Sequence, residues 1–291
     1  MYKNAKYPQW FLNLLKTKRG SHKVDDHIHD LHLHTVCNEA RCPNRGECFS
    51  SGTATFLILG NICTRNCRFC AIDKGTPPEY DLHEPERILE AVKRMKLRYV
   101  VLTSVTRDDL PDGGAEIFRK TIALIRQYDY TIKIEVLTPD FMGKKDAVKL
   151  IIDEKPDVFN HNVETVPRLY ETVRPMASYR MSCEVLSYAH ECDSDCIIKS
   201  GIMVGLGETE EEIHGVMRDL KKSGCSIVTI GQYIQPTDAH VPVHSYIELD
   251  VYDRYKEYGR TLGLTVVAGP LVRSSYFAHD AYDLIKRKEN V

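Results

Sequence analysis

The chain is expected to be an α/β protein built from one repeating strand-then-helix unit. Three observations carry that expectation. Short runs rich in Val, Ile and Thr recur along the chain, amphipathic stretches separate them, and no Gly- or Pro-rich linker divides the 291 residues. Strands that alternate with helices pair in parallel through right-handed crossovers. A doubly wound sheet and a full or partial barrel both satisfy this pattern.

In chain order the strand candidates are Thr55–Gly60, Arg98–Ser104, Thr131–Leu137, Asp157–Asn162, Cys196–Gly205, Cys225–Tyr233 and Leu264–Gly269. They are short and branched, as strands buried on both faces tend to be. The helix candidates between them are Glu84–Lys96, Gly114–Tyr128, Lys144–Glu154, Tyr179–Asp193, Glu208–Ser223 and Glu248–Leu262. Ile88, Leu89, Val92 and Met95 recur at helical spacing in the first of these. Thr209 ahead of Glu212 predicts a capping box. The acidic run Glu208–Glu212 suits a helix N-terminus and receives no functional role. Residues 1–52 do not join the repeat. They carry an amphipathic stretch around Trp10–Leu15, with Trp10 as a packing anchor, then a His-rich passage and three cysteines, and are expected to form an extension.

Composition narrows the function classes. Lys plus Arg is 39 and Asp plus Glu is 41, a formal net charge of −2 that gives no electrostatic footprint for duplex nucleic acid. No apolar run approaches the roughly 20 residues of a membrane span. The N-terminus lacks the basic-then-apolar pattern of an export signal, so a cytoplasmic location is expected. Of 10 cysteines, six fall between Cys37 and Cys70, which in such a chain points to metal or redox chemistry more than to disulfides.

The second triplet, Cys63-Thr-Arg-Asn-Cys67-Arg-Phe-Cys70, follows the first strand candidate directly. Loops at strand ends are where barrel enzymes place reactive groups. Thiolates suit iron and sulfide, and a [4Fe–4S] cluster takes four ligands where this run supplies three. A structural zinc site would be closed by a fourth protein ligand. Three thiolates leave one iron open to a small molecule. The first triplet, Cys37, Cys42 and Cys48, also lacks a neighbouring fourth cysteine. Beside the other triplet it reads as a second three-thiolate cluster, whereas by itself it would suit zinc as readily as iron–sulfur.

The C-x3-C-x2-C spacing, with Phe69 before its last cysteine, resembles the signature of the radical S-adenosylmethionine superfamily. Within it, the chain resembles the lipoyl synthase family. That likeness rests on LHTVCNEARCPNRGEC (Leu33–Cys48), CTRNCRFC (Cys63–Cys70), TSVTRDDLPDGGA (Thr103–Ala115), NHNVETVPRLYETVRP (Asn160–Pro175), GIMVGLGETEEE (Gly201–Glu212), GQYIQPTDAHVPV (Gly231–Val243) and GPLVRSSY (Gly269–Tyr276).

The resemblance implies a partial (β/α)6 TIM-like barrel with N- and C-terminal extensions. Residues 1–52 would carry the auxiliary-cluster cysteines, 53–267 the barrel, and 268–291 the RSSY motif. It implies a sulfurtransferase of lipoate biosynthesis that inserts two sulfur atoms at C6 and C8 of a protein-bound octanoyl-lysine chain. The expected cofactors are two [4Fe–4S] clusters and S-adenosyl-L-methionine, with the auxiliary cluster consumed as sulfur donor. Cys63, Cys67 and Cys70 would hold the cluster that activates S-adenosylmethionine. Cys37, Cys42, Cys48 and Ser275 would hold the other, with Ser274 the second choice and Arg273 stabilising charge there. Phe69, Asp112, Gly113, Gly114, Asn160, Asn162, Glu164, Arg174, Gly201, Met203 and Gly205 are the expected S-adenosylmethionine contacts. The two clusters are expected to face each other across the barrel mouth with the acyl chain between them. Partners implied are octanoylated carrier domains (glycine-cleavage H protein, 2-oxoacid dehydrogenase E2), a ferredoxin or flavodoxin donor, and an iron–sulfur carrier that rebuilds the auxiliary cluster. Neither nucleic acid nor membrane is among them.

Other features receive no role. His22, His27, His29, His32 and His34 show no ligand spacing, although His34 lies inside the first motif. Cys192 and Cys196 read as ordinary semi-buried thiols in preference to a third cluster or redox pair, and the scattered Cys183 and Cys225 receive no reading. Competing readings are a biotin-synthase-like or methylthio-transferring enzyme, an iron–sulfur electron carrier, and a structural zinc protein. The RSSY motif together with the first triplet argues against the first, and the missing fourth cysteines against the second.

Overall fold

A computed structural model describes residues 7–16, 28–39, 42, 44, 48, 53–276 and 278–289. The strands are β1 (His34–Thr35), β2 (Thr53–Ile58), β3 (Ile62–Cys63), β4 (Asp73–Lys74), β5 (Tyr99–Ser104), β6 (Lys133–Leu137), β7 (Val158–Asn160), β8 (Ile197–Val204), β9 (Ile227–Gln232) and β10 (Thr265–Gly269). β3 and β4 form a small sheet of their own, while the rest make one eight-stranded sheet in the order β1-β2-β5-β6-β7-β8-β9-β10. β1 is antiparallel to β2, and from β2 onward every pair is parallel. Spatial order follows chain order without reversal, so there is no switch point of the doubly wound kind. The sheet ends at β1 on one side and β10 on the other. The architecture is therefore a partial barrel.

Helices α1 (Gln9–Lys16) and α2 (Val36–Glu39) precede the barrel. The crossovers are α3 (Glu84–Met95), α4 (Ala115–Tyr128), α5 (Lys145–Ile152), α6 (Tyr170–Val173) with α7 (Tyr179–Cys192), α8 (Glu210–Lys222) and α9 (Leu249–Thr261), and α10 (Ala278–Glu289) closes the chain. Local sequence explains their ends. In α3, Pro85 fits the first turn, Glu84 and Glu86 face the positive end of the dipole, and Lys96 stops the helix in a left-handed conformation. Thr209 and Glu212 form the expected capping box on α8. Six of these helices lie within a few residues of their sequence-predicted bounds, and the short α6 has no counterpart among the sequence-predicted helices. α10 and the β1 pairing were not among the sequence expectations.

Strand register sorts the barrel interior into layers. Tyr99, Val101, Val158, Ile197 and Ile227, from the first half of their strands, cluster with Ala278, Ala281 and Tyr282 of α10. The C-terminal helix thus plugs the N-terminal end of the barrel. Above this apolar layer, Lys199 donates to both Glu135 oxygens at 2.9 and 3.0 Å, and Tyr99 (2.8 Å) and Asn160 (2.9 Å) donate to the same carboxylate. Lys199 and Glu135 are 1% and 0% exposed, so each charge depends on the other. The opposite end, at the C-terminal edge of the strands, is left open. No helix among the described residues is long and apolar enough to cross a membrane.

Candidate active site

β2 leads through two left-handed residues, Leu59 (φ 67°) and Gly60 (φ 86°), into the loop that carries Cys63, Cys67 and Cys70. This loop is held from several sides. Arg65 reaches Asp108 through Nε (2.7 Å) and Nη2 (3.0 Å), and Asp140 through Nη1 and Nη2 (both 2.6 Å). Burial alone would weaken the Arg65 charge, but the hydrogen bonds to Asp140 and Asp108 outweigh it and raise its pKa. Burial likewise opposes the Asp140 carboxylate, yet the Arg65 hydrogen bonds hold its pKa down at about 2. Thr64 Oγ1 donates to the Thr106 carbonyl at 2.9 Å, and His240 Nε2 donates to the Cys70 carbonyl at 3.0 Å. The Arg68 amide donates to Val173 O, and the Val241 amide donates to Arg68 O.

The other triplet comes from the segment before β2. Cys37 is buried in α2, the Cys42 amide donates to the Cys37 carbonyl (3.1 Å), and the Cys48 amide donates to the Asn44 carbonyl (3.1 Å). Asn44, 1% exposed, donates through Nδ2 to the Leu271 carbonyl at 2.5 Å. This bond ties the first triplet to the C-terminal segment 227 residues away in sequence.

All six cysteines line one cavity of about 500 Å³ at the C-terminal ends of the strands, together with Arg273, Ser274, Ser275 and Tyr276. Its walls include the apolar residues Leu57, Phe69, Leu137, Ile202, Met203 and Tyr233. Ser274 Oγ donates to Asn162 Oδ1 at 2.7 Å, whereas the Ser275 hydroxyl has no hydrogen-bond partner among the described residues. Burial pushes the Cys67 thiol up, with the Arg174 charge opposing, and pushes Cys70 up to about 12. Both are neutral thiols at neutral pH until a metal displaces the proton. Glu164 faces the same space at the strained φ of 67°; burial raises its pKa, while Arg174 and Asn162 work against that.

The donor set fits an iron–sulfur group and a polar ligand beside it. Four cavity residues carry buried polar atoms with no partner among the described residues: Asn44 Oδ1, Ser104 Oγ, Thr138 Oγ1 and Arg174 Nε. Among the described residues, no three His, Cys, Asp or Glu side chains converge closely enough for a single metal ion.

Of the expected small-molecule contacts, Phe69, Asn162, Glu164, Arg174, Gly201 and Met203 line the cavity. Five lie elsewhere. Asp112 accepts from the amides of Gly114 (2.9 Å) and Glu116 (2.8 Å), and so caps α4. Gly113 and Gly114 have φ of 65° and 89°, and a Cβ on Gly114 would lie 2.1 Å from Leu59 Cδ1, so this turn serves packing. Asn160 points below the cavity to Glu135. Gly205 packs against Gln232 and the Ser245 carbonyl. His34 bonds Glu39 at 2.9 Å and does not line the cavity, and His22 and His27 lie outside the described residues.

Sequence reasoning missed Arg65, Asn44, His161 and His240. A signal existed for Arg65, because Asp108 and Asp140 close two neighbouring strand-end loops and require a cation. His161 Nδ1 donates to the Thr138 carbonyl (2.8 Å) and its Nε2 lies 3.0 Å from Ser182 Oγ, while burial and the Arg174 charge lower its pKa to about 4.

Known proteins share both the sequence and the fold. A profile of the Radical SAM superfamily matches residues 57–220. A lipoyl synthase of Rubrobacter xylanophilus is 53% identical over 281 residues, covering 96% of this chain and 88% of that one. A lipoyl synthase of Caldicellulosiruptor saccharolyticus is 51% identical over 282 residues, covering 97% and 99%. Among solved structures, methylornithine synthase (PylB) superposes with a TM-score of 0.54 at 12% identity, covering 91% of this chain and 83% of that one. Streptococcus suis SuiB bound to S-adenosylmethionine gives 0.60 at 14% identity, covering 73% and 49%. At such identities the structural likeness concerns the fold alone.

Proposed function

The chain belongs to the lipoyl synthases, sulfur-inserting enzymes of the radical S-adenosylmethionine superfamily, and from that membership we propose that it inserts sulfur at C6 and C8 of an octanoyl chain carried on a lysine of a lipoyl-carrier domain. The observation that carries the reading is that both cysteine trios and Ser275 border one cavity with apolar walls. Cys63, Cys67 and Cys70 would hold the cluster that takes S-adenosylmethionine, and Cys37, Cys42, Cys48 and Ser275 an auxiliary cluster. When bound, these groups supply a carbon-centred radical for hydrogen abstraction and sulfur for the product.

The protein's own work is positioning and shielding. Arg174 and Glu164 offer opposite charges beside Cys67, which suits the carboxylate and ammonium of an amino-acid moiety. Leu57, Leu137, Ile202 and Met203 give an acyl chain an apolar wall. Ser275 supports the auxiliary-ligand role because its hydroxyl is uncommitted while that of Ser274 is engaged. A serine oxygen is a harder and more readily exchanged ligand for iron than a thiolate, which suits a cluster that must be opened. The carrier is proposed to be an octanoylated glycine-cleavage H protein or 2-oxoacid dehydrogenase E2 domain. A ferredoxin or flavodoxin would supply electrons, and an iron–sulfur carrier would rebuild the auxiliary site. The reaction is proposed to take place in the cytoplasm.

The test uses an octanoyl-lysine peptide and anaerobically reconstituted protein. The intact chain should hold about eight irons. Cys42→Ala should keep 5′-deoxyadenosine formation and lose sulfur insertion, whereas Cys67→Ala should lose both. Sulfur insertion surviving in Cys42→Ala would refute the donor assignment.

A further inference from the structure

The C-terminal segment that carries Ser275 lies directly against the barrel wall. Gly201 and Gly231 are on the adjacent strands β8 and β9, where Gly201 pairs with Thr229 and Gly231 with Met203. A Cβ on Gly231 would fall 2.1 Å from the Val272 carbonyl oxygen. One on Gly201 would fall 2.7 Å from Asn162 Oδ1 and 2.8 Å from Ser274 Oγ. Real Cβ atoms do not approach so closely, so the two glycines form the seat of the strap 271–276.

Two side chains then fasten the strap. Asn44 holds the Leu271 carbonyl from the first cysteine segment. Asn162 accepts the Ser274 hydroxyl at 2.7 Å, and its Nδ2 donates to Glu164 at 3.1 Å. Ser275 sits just beyond these fastenings, without a hydrogen-bond partner of its own among the described residues.

We propose that Asn162 is a positioning residue for the strap: by accepting the Ser274 hydroxyl over the Gly201–Gly231 seat, it presents Ser275 to the first cysteine trio. The proposal rests on the reading of Ser275 as a ligand of the auxiliary cluster. It places Asn162 on the strap side of the cavity, with only its amide nitrogen turned toward Glu164. A strap held by single hydrogen bonds can lift and return as its ligand is exchanged, while the barrel stays folded.

Hydrogen exchange on the full chain tests the fastening. The reporters are the Val272 amide, bonded to the Gly269 carbonyl, and the Tyr276 amide, bonded to the Arg273 carbonyl. Losing one hydrogen bond should speed their exchange about five- to tenfold in Asn162→Ala and equally in Ser274→Ala. The double variant should exchange no faster than either single one. Unchanged exchange in Asn162→Ala, additive effects in the double variant, or equal acceleration of the β8 amides would each overturn the assignment. After reconstitution, the Mössbauer signature of the auxiliary iron should shift in Asn162→Ala toward that of Ser275→Ala. A Ser275→Ala spectrum identical to the parent's would overturn the ligand reading of Ser275, whereas an altered Ser275→Ala spectrum beside an unaltered Asn162→Ala one would overturn the positioning role.

Discussion

Replacing Arg65 with Met removes the cation that joins the three-cysteine loop to two other strand-end loops. Arg65 is 6% exposed, Asp140 1% and Asp108 22%, so the loss falls mainly on Asp140. Breaking a buried pair by removing one partner costs about 3–5 kcal/mol, because the remaining charge is stranded. For a chain of this length that corresponds to a fall in Tm of about 6–10 °C. Arg65→Met/Asp140→Leu removes both charges and should recover most of the loss.

Acid separates this mechanism from simple loss of packing. In the intact chain the Asp140 pKa is held down at about 2, below its unfolded value, by the Arg65 hydrogen bonds working against burial. Its contribution is therefore fully present above pH ~4 and is lost as pH falls through about 2. In Arg65→Met, burial without the cation raises that pKa, so acidification relieves the stranded charge and narrows the gap to wild type. The assay is urea unfolding of the two variants and the parent at neutral and acid pH. A loss under about 1 kcal/mol, or a gap that fails to narrow on acidification, would refute the argument.

The same logic applies to the barrel interior. Lys199→Met should destabilise by about 3–5 kcal/mol in urea unfolding, and Lys199→Met/Glu135→Leu should regain most of it. His161 gives a separate pH window, because burial first and the Arg174 charge second lower its pKa to about 4. The unfolded chain then binds the extra proton first, so this contribution is full above pH ~6.5 and declines as pH falls toward 4, by about 3 kcal/mol in all. His161→Gln should lack that decline. Equal acid sensitivity of His161→Gln and the parent between about pH 7.5 and 4.5 would place the titration elsewhere.

Features that depend on neighbours along the chain were legible in the residues alone. Branched runs and helical periodicity located β5 to β10 and six of the crossover helices, and Thr209 with Glu212 predicted the cap of α8. The cysteine spacing singled out two trios, because residue type and short separation are local properties, and the fold brings both to one cavity. What depends on convergence emerged with the folded chain. Strand order following chain order made the sheet a partial barrel rather than a doubly wound one. Asp112-Gly113-Gly114 reads as a ligand turn in one dimension, yet it packs on Leu59 and Phe141 because the φ values and close approach that demand glycine there belong to packing. Asn44 on Leu271, Asn162 on Ser274 and Arg65 between Asp108 and Asp140 join segments from 43 to 227 residues apart. Such contacts leave no local pattern, since each side chain is ordinary until the fold brings its partner within hydrogen-bond distance and excludes water from the pair.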